Sequence, residues 1–570
     1  MISYPDLTLL YRTDHAEYRN PTAFFFGREF YLPFPQGENI NCLMFRLIGG
    51  LAGQKALNGS AFSSQGKYYM VLPPNRRGRG VRWISVLLAG VISGGCAAHK
   101  TFASEVKPGV QPEVVFGTLN KTSVLHNPAM GWVYYDPGIR HRSISFWKSR
   151  AAELKFCNTV YWRGPWSDFE PQRGKYAWQY NKTVIQWLHR VKAMHLRLAF
   201  RVIVNSKDFS KPATPLWVKK DGARGYLVDG LWTPYPDDPI FQSDFSRFLR
   251  AFGKRFDNPN DTAYVDASGL GWWGEMSHLH IPASHNAQVF NWLCSSYAKA
   301  FPHVLLVTNM DAGFGLKLDK EVALGHYGIM FRRDGIGSPW FYRDEERFMQ
   351  KIFPRSPLFA ELCYGNPGPG KPIAPTKLVQ LWLKNRGVSN FHEYMKFSVR
   401  QALQYHANVL NLPGGAWQQV GSKLAYKFAR HCGYRLCPLA ITYPAAMTVG
   451  RPYAIKALWI NGGVGVLPNA APQWGHKYKF AFALFNGGGT QPDEVSVDQS
   501  RSKLSTLVYG QPQVHTNTVR WHVPAGQYRL AVAIVNTAEH NRAAIELAVS
   551  NLPRVGRWYV VGRTTIVANR

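Results

Sequence analysis

Between about residue 119 and residue 432 the chain alternates short apolar runs with amphipathic segments, and few folds satisfy that alternation. The strand-like runs are Gly131–Tyr135, Asn158–Trp162, Leu196–Val204, Val265–Gly271, Val304–Asn309, Tyr327–Phe331, Leu358–Leu362 and Ala407–Leu412. Helix-compatible segments fall between most of them: Ser143–Leu154, Lys182–Met194, Phe241–Phe256, Asn286–Ala300, Arg343–Ile352 and Phe391–Tyr405. Buried parallel strands need crossover helices, so this order predicts an α/β fold. Eight strands with intervening helices over about 300 residues fit a (β/α)8 TIM barrel. A doubly wound sheet is the alternative.

After residue 433 the period changes. Tyr453–Trp459, Tyr478–Phe485 and Gln527–Val535 alternate in the strand period between Gly, Pro and Asn turns, which predicts a C-terminal all-β sandwich over 433–570. The chain has 570 residues, enough for two or more domains. Upstream, Met70–Arg82 is basic, Trp83–Ile92 is a ten-residue apolar run, and Ser93-Gly-Gly-Cys96 follows. That order reads as a signal segment over 70–96, too short to span a bilayer, with Cys96 as a lipidation candidate. It predicts export, to the cell envelope or the extracellular space, with the membrane engaged only through an anchor at Cys96. A start at Met70 then makes residues 1–69 an over-extended start or a disordered extension, and 97–118 reads as a linker.

The formal charge of +32 would favour acidic polymers, yet no nucleic-acid recognition module is present, so no nucleic-acid partner is expected. Seven scattered cysteines do not make a disulfide scaffold, although Cys432 and Cys437 are close enough to bridge in an oxidising compartment. No P-loop, no strand-following GxGxxG and no GxSxG elbow appears, so no cofactor is expected.

In a barrel the active site gathers at the C-terminal strand ends. Those ends carry Tyr134 to Asp136, then Arg163, Trp166, Asp168 and Glu170, then Arg201 and Asn205. The fourth end supplies Trp273 and Glu275, with His278 and His280 beyond. Later ends supply Asn309 and Asp311, then Arg332 to Asp334, Glu361, and Asn411 with Trp417. Glu275 and Glu361, on the fourth and seventh predicted strands, are the paired carboxylates. One kept protonated and one ionised is the requirement for cleaving a glycosidic bond. The tryptophans offer flat faces for sugar rings.

Those two glutamates, with Trp162-Arg-Gly-Pro-Trp-Ser-Asp-Phe-Glu-Pro-Gln-Arg-Gly-Lys-Tyr-Ala-Trp178, resemble the clan A glycoside hydrolases, notably the β-galactosidase-like barrels. The chain is also similar to bacterial proteins of unassigned function that join such a barrel to a C-terminal sandwich. The resemblance covers about residues 125–570. It implies a carbohydrate substrate, Glu275 as acid/base and Glu361 as nucleophile in a retaining hydrolase. Trp166, Asp168, Glu170, Arg201, Asn205, Trp273, His278, His280, Asn309, Asp311 and Trp417 would surround the sugar. The H-x-H spacing of His278 and His280 is metal-like, but metal-hydrolase barrels carry it on the first strand, so no metal is expected. One departure stands out: clan A enzymes place Asn before the acid/base, and this chain has Gly274. That leaves open a non-catalytic, carbohydrate-binding barrel, and Glu275 as a structural partner of Arg201.

Overall fold

The computed structural model describes residues 112–136, 154–310, 313–368, 370–411, 422–500 and 503–569. Residues 1–69, the export-like segment with Cys96, the predicted helix Ser143–Leu154 except its last residue, Asp311 and Trp417 lie outside them.

Strand β1 (Pro112–Phe116) comes first. Strands β2 (Gly131–Asp136), β3 (Cys157–Pro165) and β4 (Arg197–Ile203) open the barrel. A hairpin, β5 (Gly225–Val228) and β6 (Leu231–Pro234), interrupts the alternation. Strands β7 (Thr262–Asp266), β8 (Leu305–Asn309), β9 (Met330–Ile336), β10 (Leu358–Leu362) and β11 (Ala407–Asn411) complete it. The eight barrel strands close in the order β2-β3-β4-β7-β8-β9-β10-β11, every pairing parallel. Every residue of β7 to β11 is buried, as expected of strands covered on both faces. The (β/α)8 barrel is therefore present, and the doubly wound alternative is excluded by closure.

The helix Pro239–Phe256 shows how the outer layer is held. Phe241, Phe245, Phe248, Phe252 and Phe256 recur at three- and four-residue steps and are all buried. They meet Trp166, Phe169, Trp178 and Phe200 at ring-centroid distances of 4.6–6.4 Å. The helix starts where Asp238 Oδ1 accepts from the Ile240 and Phe241 amides, both at 3.0 Å, with Pro239 at the first helical position. The Tyr-Pro-Asp-Asp-Pro turn of the sequence is thus a helix cap. Asp238→Ala should cost roughly 1–2 kcal/mol, read as a lower urea midpoint at unchanged m-value.

The C-terminal domain has two sheets. Strands β12 (Leu436–Pro444), β13 (Ala446–Thr448), β14 (Pro452–Asn461), β15 (Tyr478–Asn486) and β16 (Glu494–Val497) come first. Then follow β17 (Gln513–Arg520), β18 (Gly526–Asn536), β19 (Arg542–Ile545), β20 (Arg554–Val555) and β21 (Trp558–Val567). One sheet runs β1-β12-β14-β17; the other runs β13-β21-β18-β15-β16, with β19 on β18 and β20 on β21. The linker expected over 97–118 therefore contains a strand, Pro112–Phe116, which is antiparallel to β12 at a sheet edge. Proline is tolerated at such an edge. Cys432 and Cys437 are buried free thiols, contrary to the bridge considered; their sulfurs face the Ala429 and Pro438 carbonyls, each at 3.7 Å.

The sandwich packs under the N-terminal ends of the barrel strands. Asn408, at the start of β11, donates to Ala129 O at 2.9 Å and Val466 O at 2.8 Å and accepts from the Val466 amide at 3.1 Å. Asn127 and Glu546 exchange hydrogen bonds of 2.9 and 2.8 Å, and Tyr434 donates to Pro128 O at 2.7 Å. One continuous apolar cluster runs through both domains. The mouth of the barrel is left on the opposite end.

Candidate active site

Two expected strands shift, and both shifts shape the site. The fourth barrel strand ends at Asp266, not Gly271. The chain then folds back on itself: Gly269 donates to Gly274 O at 3.0 Å, Trp272 to Ser277 O at 2.9 Å, and Glu275 to Trp272 O at 2.9 Å. Gly274 sits at φ +71°, and a Cβ there would lie 3.1 Å from Gly269 Cα and 3.2 Å from Arg201 Cδ. A side chain there would be crowded by a few tenths of an ångström and would have to adopt a left-handed backbone, which favours glycine at this position. The expected strand Tyr327–Phe331 is instead β9, Met330–Ile336, so Arg332, Arg333 and Asp334 lie within a strand and not after it.

Glu275 and Glu361 come together. Arg163 Nη1, from β3, lies 3.3 Å from Glu275 Oε1 and 4.0 Å from Glu361 Oε1. The two carboxylate oxygens can be no farther apart than those distances laid end to end. That bound contains the retaining separation of about 5–5.5 Å and reaches into the inverting range from about 6.5 Å. Glu361 is 3% exposed and accepts from Asn411 Nδ2 at 2.6 Å and from Arg332 Nη2. Glu275 keeps 16% of its side chain exposed, and Asn309 Nδ2 fixes its carbonyl at 2.7 Å.

Beneath them lies a buried ionic layer. Arg201 pairs with Asp266 and Asp334, both at 2.5 Å, and stands 3.6 Å from Glu275 Oε1. Arg332 pairs with Asp334 at 2.6 Å and Asp266 at 3.4 Å. Tyr161 and Ser268 donate to Asp266 at 3.2 and 2.7 Å. Three arginines (163, 201, 332) thus face four carboxyls (266, 334, 275, 361), which balances only if one carboxyl holds a proton. Burial and the Asp334 charge push Glu275 up to about 8, against Arg163 and Arg201. Glu361 is also raised, by burial and Asp334, with Arg332 opposing. Burial works against Asp334 too, but Arg201 and Arg332 hold its carboxyl below the ordinary range. Of the two glutamates, both raised, Glu275 is the more exposed.

Several expected sugar contacts are structural. Trp166 and Glu170 are fully buried away from the mouth. Glu170 accepts from Trp166 Nε1 at 3.0 Å, the Gly174 amide at 2.7 Å and Arg247 at 2.8 Å, and so orders the loop after β3. Arg201, Asn205 and Asn309 are likewise buried, so they position their neighbours and do not meet solvent. Asp168 pairs with Lys211 at 2.5 Å. The expected aromatic surface is instead built from loops: Trp272 stacks on His278 at 3.7 Å with Lys207 over its face, and Trp273 donates to Asp208 at 2.7 Å. His280 stacks on Tyr226 of the hairpin at 4.4 Å, beside Tyr235. His278 and His280 thus occupy separate ring stacks. A groove of about 470 Å³ runs past Arg224, Tyr235, Asp237 and His280.

Tyr135 was legible at the first strand end but had no role. It is buried, and burial and the two glutamates raise its hydroxyl against Arg163 and Arg201, which places it among them. Asp266 lacked a signal because the predicted strand ran past it.

Neither a protein-family model nor a curated protein sequence matches the chain. Among solved structures, an exo-beta-1,4-mannosidase from Opitutaceae bacterium strain TAV5 is similar at 14% identity and a TM-score of 0.31, over 50% of this chain and 51% of that one. A beta-galactosidase from the psychrophilic Marinomonas ef1 is similar at 12% identity and a TM-score of 0.32, over 53% and 58%. Endo-glycoceramidase II from Rhodococcus sp. is similar at 10% identity and a TM-score of 0.35, over 70% and 99%. The chain spans about half the length of the first of these. Nothing about a reaction follows from likeness of that order.

Proposed function

We propose that this protein is an exported glycoside hydrolase that works with retention of anomeric configuration. The observation that supports the reading is the reach of Arg163 Nη1 to both Glu275 and Glu361, which caps the separation of the two carboxyl oxygens at a value compatible with bond cleavage. Glu361, held by Arg332 and Asn411, attacks the anomeric carbon as a carboxylate. Glu275 gives its proton to the departing glycosidic oxygen. Glu275, now ionised, then takes a proton from water, whose oxygen attacks the same carbon and frees Glu361. The loop aromatics and the groove beside the Tyr226 hairpin would seat further sugars. Export, and an anchor at Cys96 if one is added, rest on the 70–96 sequence pattern alone.

The test is product stereochemistry. Proton NMR of the first sugar released should show the anomer of the substrate before mutarotation, and the opposite anomer would overturn retention. The pH profile is a second check. Protonated Glu275 is lost as pH rises through about 8, so kcat/KM should fall there. Arg163 pulls Glu275 down, so Arg163→Met should move that alkaline limb upward by about one pH unit. An unmoved limb would remove Glu275 from the acid role.

A second reading, a carbohydrate-binding barrel without turnover, draws on the same Arg163, whose guanidinium touches both carboxyls where a sugar would sit. Binding on a glycan array with no hydrolysis of any bound glycan would select it.

A further inference from the structure

At the other end of the barrel, where the sandwich closes it, lies a cleft of about 220 Å³ lined by four cationic side chains. Arg197 opens β4, Lys477 precedes β15, Arg542 opens β19, and Arg557 precedes β21. Segments far apart in sequence thus bring positive charge to one enclosed place. Glu539 is the one carboxylate among the described lining residues. It is already committed, pairing with Arg542 and accepting from Asn536 Nδ2 at 2.9 Å.

Lys477 is the telling residue. It is 9% exposed, and its ammonium stands over the rings of Trp474, at 4.8 Å, and Tyr478, at 5.5 Å. Among the described residues no carboxylate pairs with Lys477, Arg197 or Arg557; Arg557 donates to the Ala544 carbonyl. Burial pulls Lys477 down to about 8, helped by Arg197 and opposed by Glu539 and Asp257. Buried ammonium groups are ordinarily paired, because an unpaired one costs several kcal/mol of lost hydration. Asp257 is engaged with His303 at 2.7 Å.

We propose that this cleft is a binding site for a compact, doubly charged oxyanion of the phosphate or sulfate kind, free or as an ester. Such a group accepts from several N–H donors at once and offsets the excess positive charge, which a monovalent anion does incompletely. The proposal does not rest on the chemistry of the barrel mouth, which lies at the other end.

The test must separate this site from a chain of net charge +32, which attracts anions everywhere. Thermal unfolding of the full chain is measured in inorganic phosphate, inorganic sulfate, glucose 6-phosphate and chloride at matched ionic strength. Phosphate or sulfate should raise Tm above the chloride value by on the order of 2–4 °C, with calorimetric titration showing one site per chain. Arg197→Met and Lys477→Met should each abolish that difference, while Lys423→Met, an exposed lysine outside the cleft, should retain it. A rise with glucose 6-phosphate alone would assign the site to the ester, and a rise with inorganic phosphate alone to the free ion. Should Lys477→Met fail to fold, Arg197→Met, half-buried at the barrel side, decides by itself. Equal rises in wild type and Arg197→Met, or none beyond chloride, overturn the proposal.

Discussion

Glu361→Gln should lower kcat/KM on any substrate the wild type hydrolyses by roughly 10⁴-fold or more, with the fold intact. The amide keeps the size and one acceptor for Arg332 and Asn411 but cannot attack carbon. Glu275→Gln should cost about 10²–10⁴-fold, and much less on nitrophenyl glycosides, whose leaving group needs no proton. Charge balance adds a readout that a merely structural pair would not share. The Glu361 charge raises Glu275, so in Glu361→Gln the Glu275 carboxyl should titrate lower than in the wild type, as followed by carbon-13 NMR. Near-normal turnover in Glu361→Gln would remove it from the nucleophile role. An unmoved Glu275 would deny the coupling.

Arg201→Met should destabilise the protein by about 3–5 kcal/mol at pH 7. Arg201 is fully buried and pairs with two aspartates, and methionine fills much of its volume without its charge. Arg332 still reaches both carboxylates but must then serve Glu361 as well. The sign with pH follows from Asp334, whose pKa is depressed in the folded state. Its contribution is present above the unfolded carboxylate value, near 3.9, and is lost as pH falls through the lower folded value. The gap between wild type and Arg201→Met should therefore narrow toward acid pH. Urea unfolding at pH 7 and at about pH 3, below the unfolded carboxylate value, checks both parts, and equal stability at pH 7 would sink the claim.

Periodicity alone disclosed the barrel, because helix and strand alternate with little interruption and most boundaries fell within a few residues. It failed where tertiary contacts overrule local composition. Arg332, Arg333 and Asp334 read as residues just past a strand end, yet they lie within β9: Arg332 pairs with Asp266, Asp334 and Glu361, Asp334 also with Arg201, and Arg333 with Glu345 of the following helix. Ala267 to Gly271 read as strand because its residues are small and apolar, while left-handed glycines turn it off the sheet. Pro112–Phe116 read as linker because of its proline, yet an edge position forgives it. The glutamate pair was legible from strand ends, and the arginine layer around it was not, since charge balance is a property of five strands together. Trp166 and Glu170 misled for a related reason: a motif beside a strand end can point outward into the helical layer as readily as into the mouth.

The place of β1 has a consequence for geography. Strand β1 lies at an edge of the sandwich, at the barrel end opposite the two glutamates. Whatever is joined upstream of Pro112 therefore meets the described residues at the closed end of the barrel. The mouth stands clear on the far side, so an attachment through that strand leaves the approach to the two glutamates unobstructed.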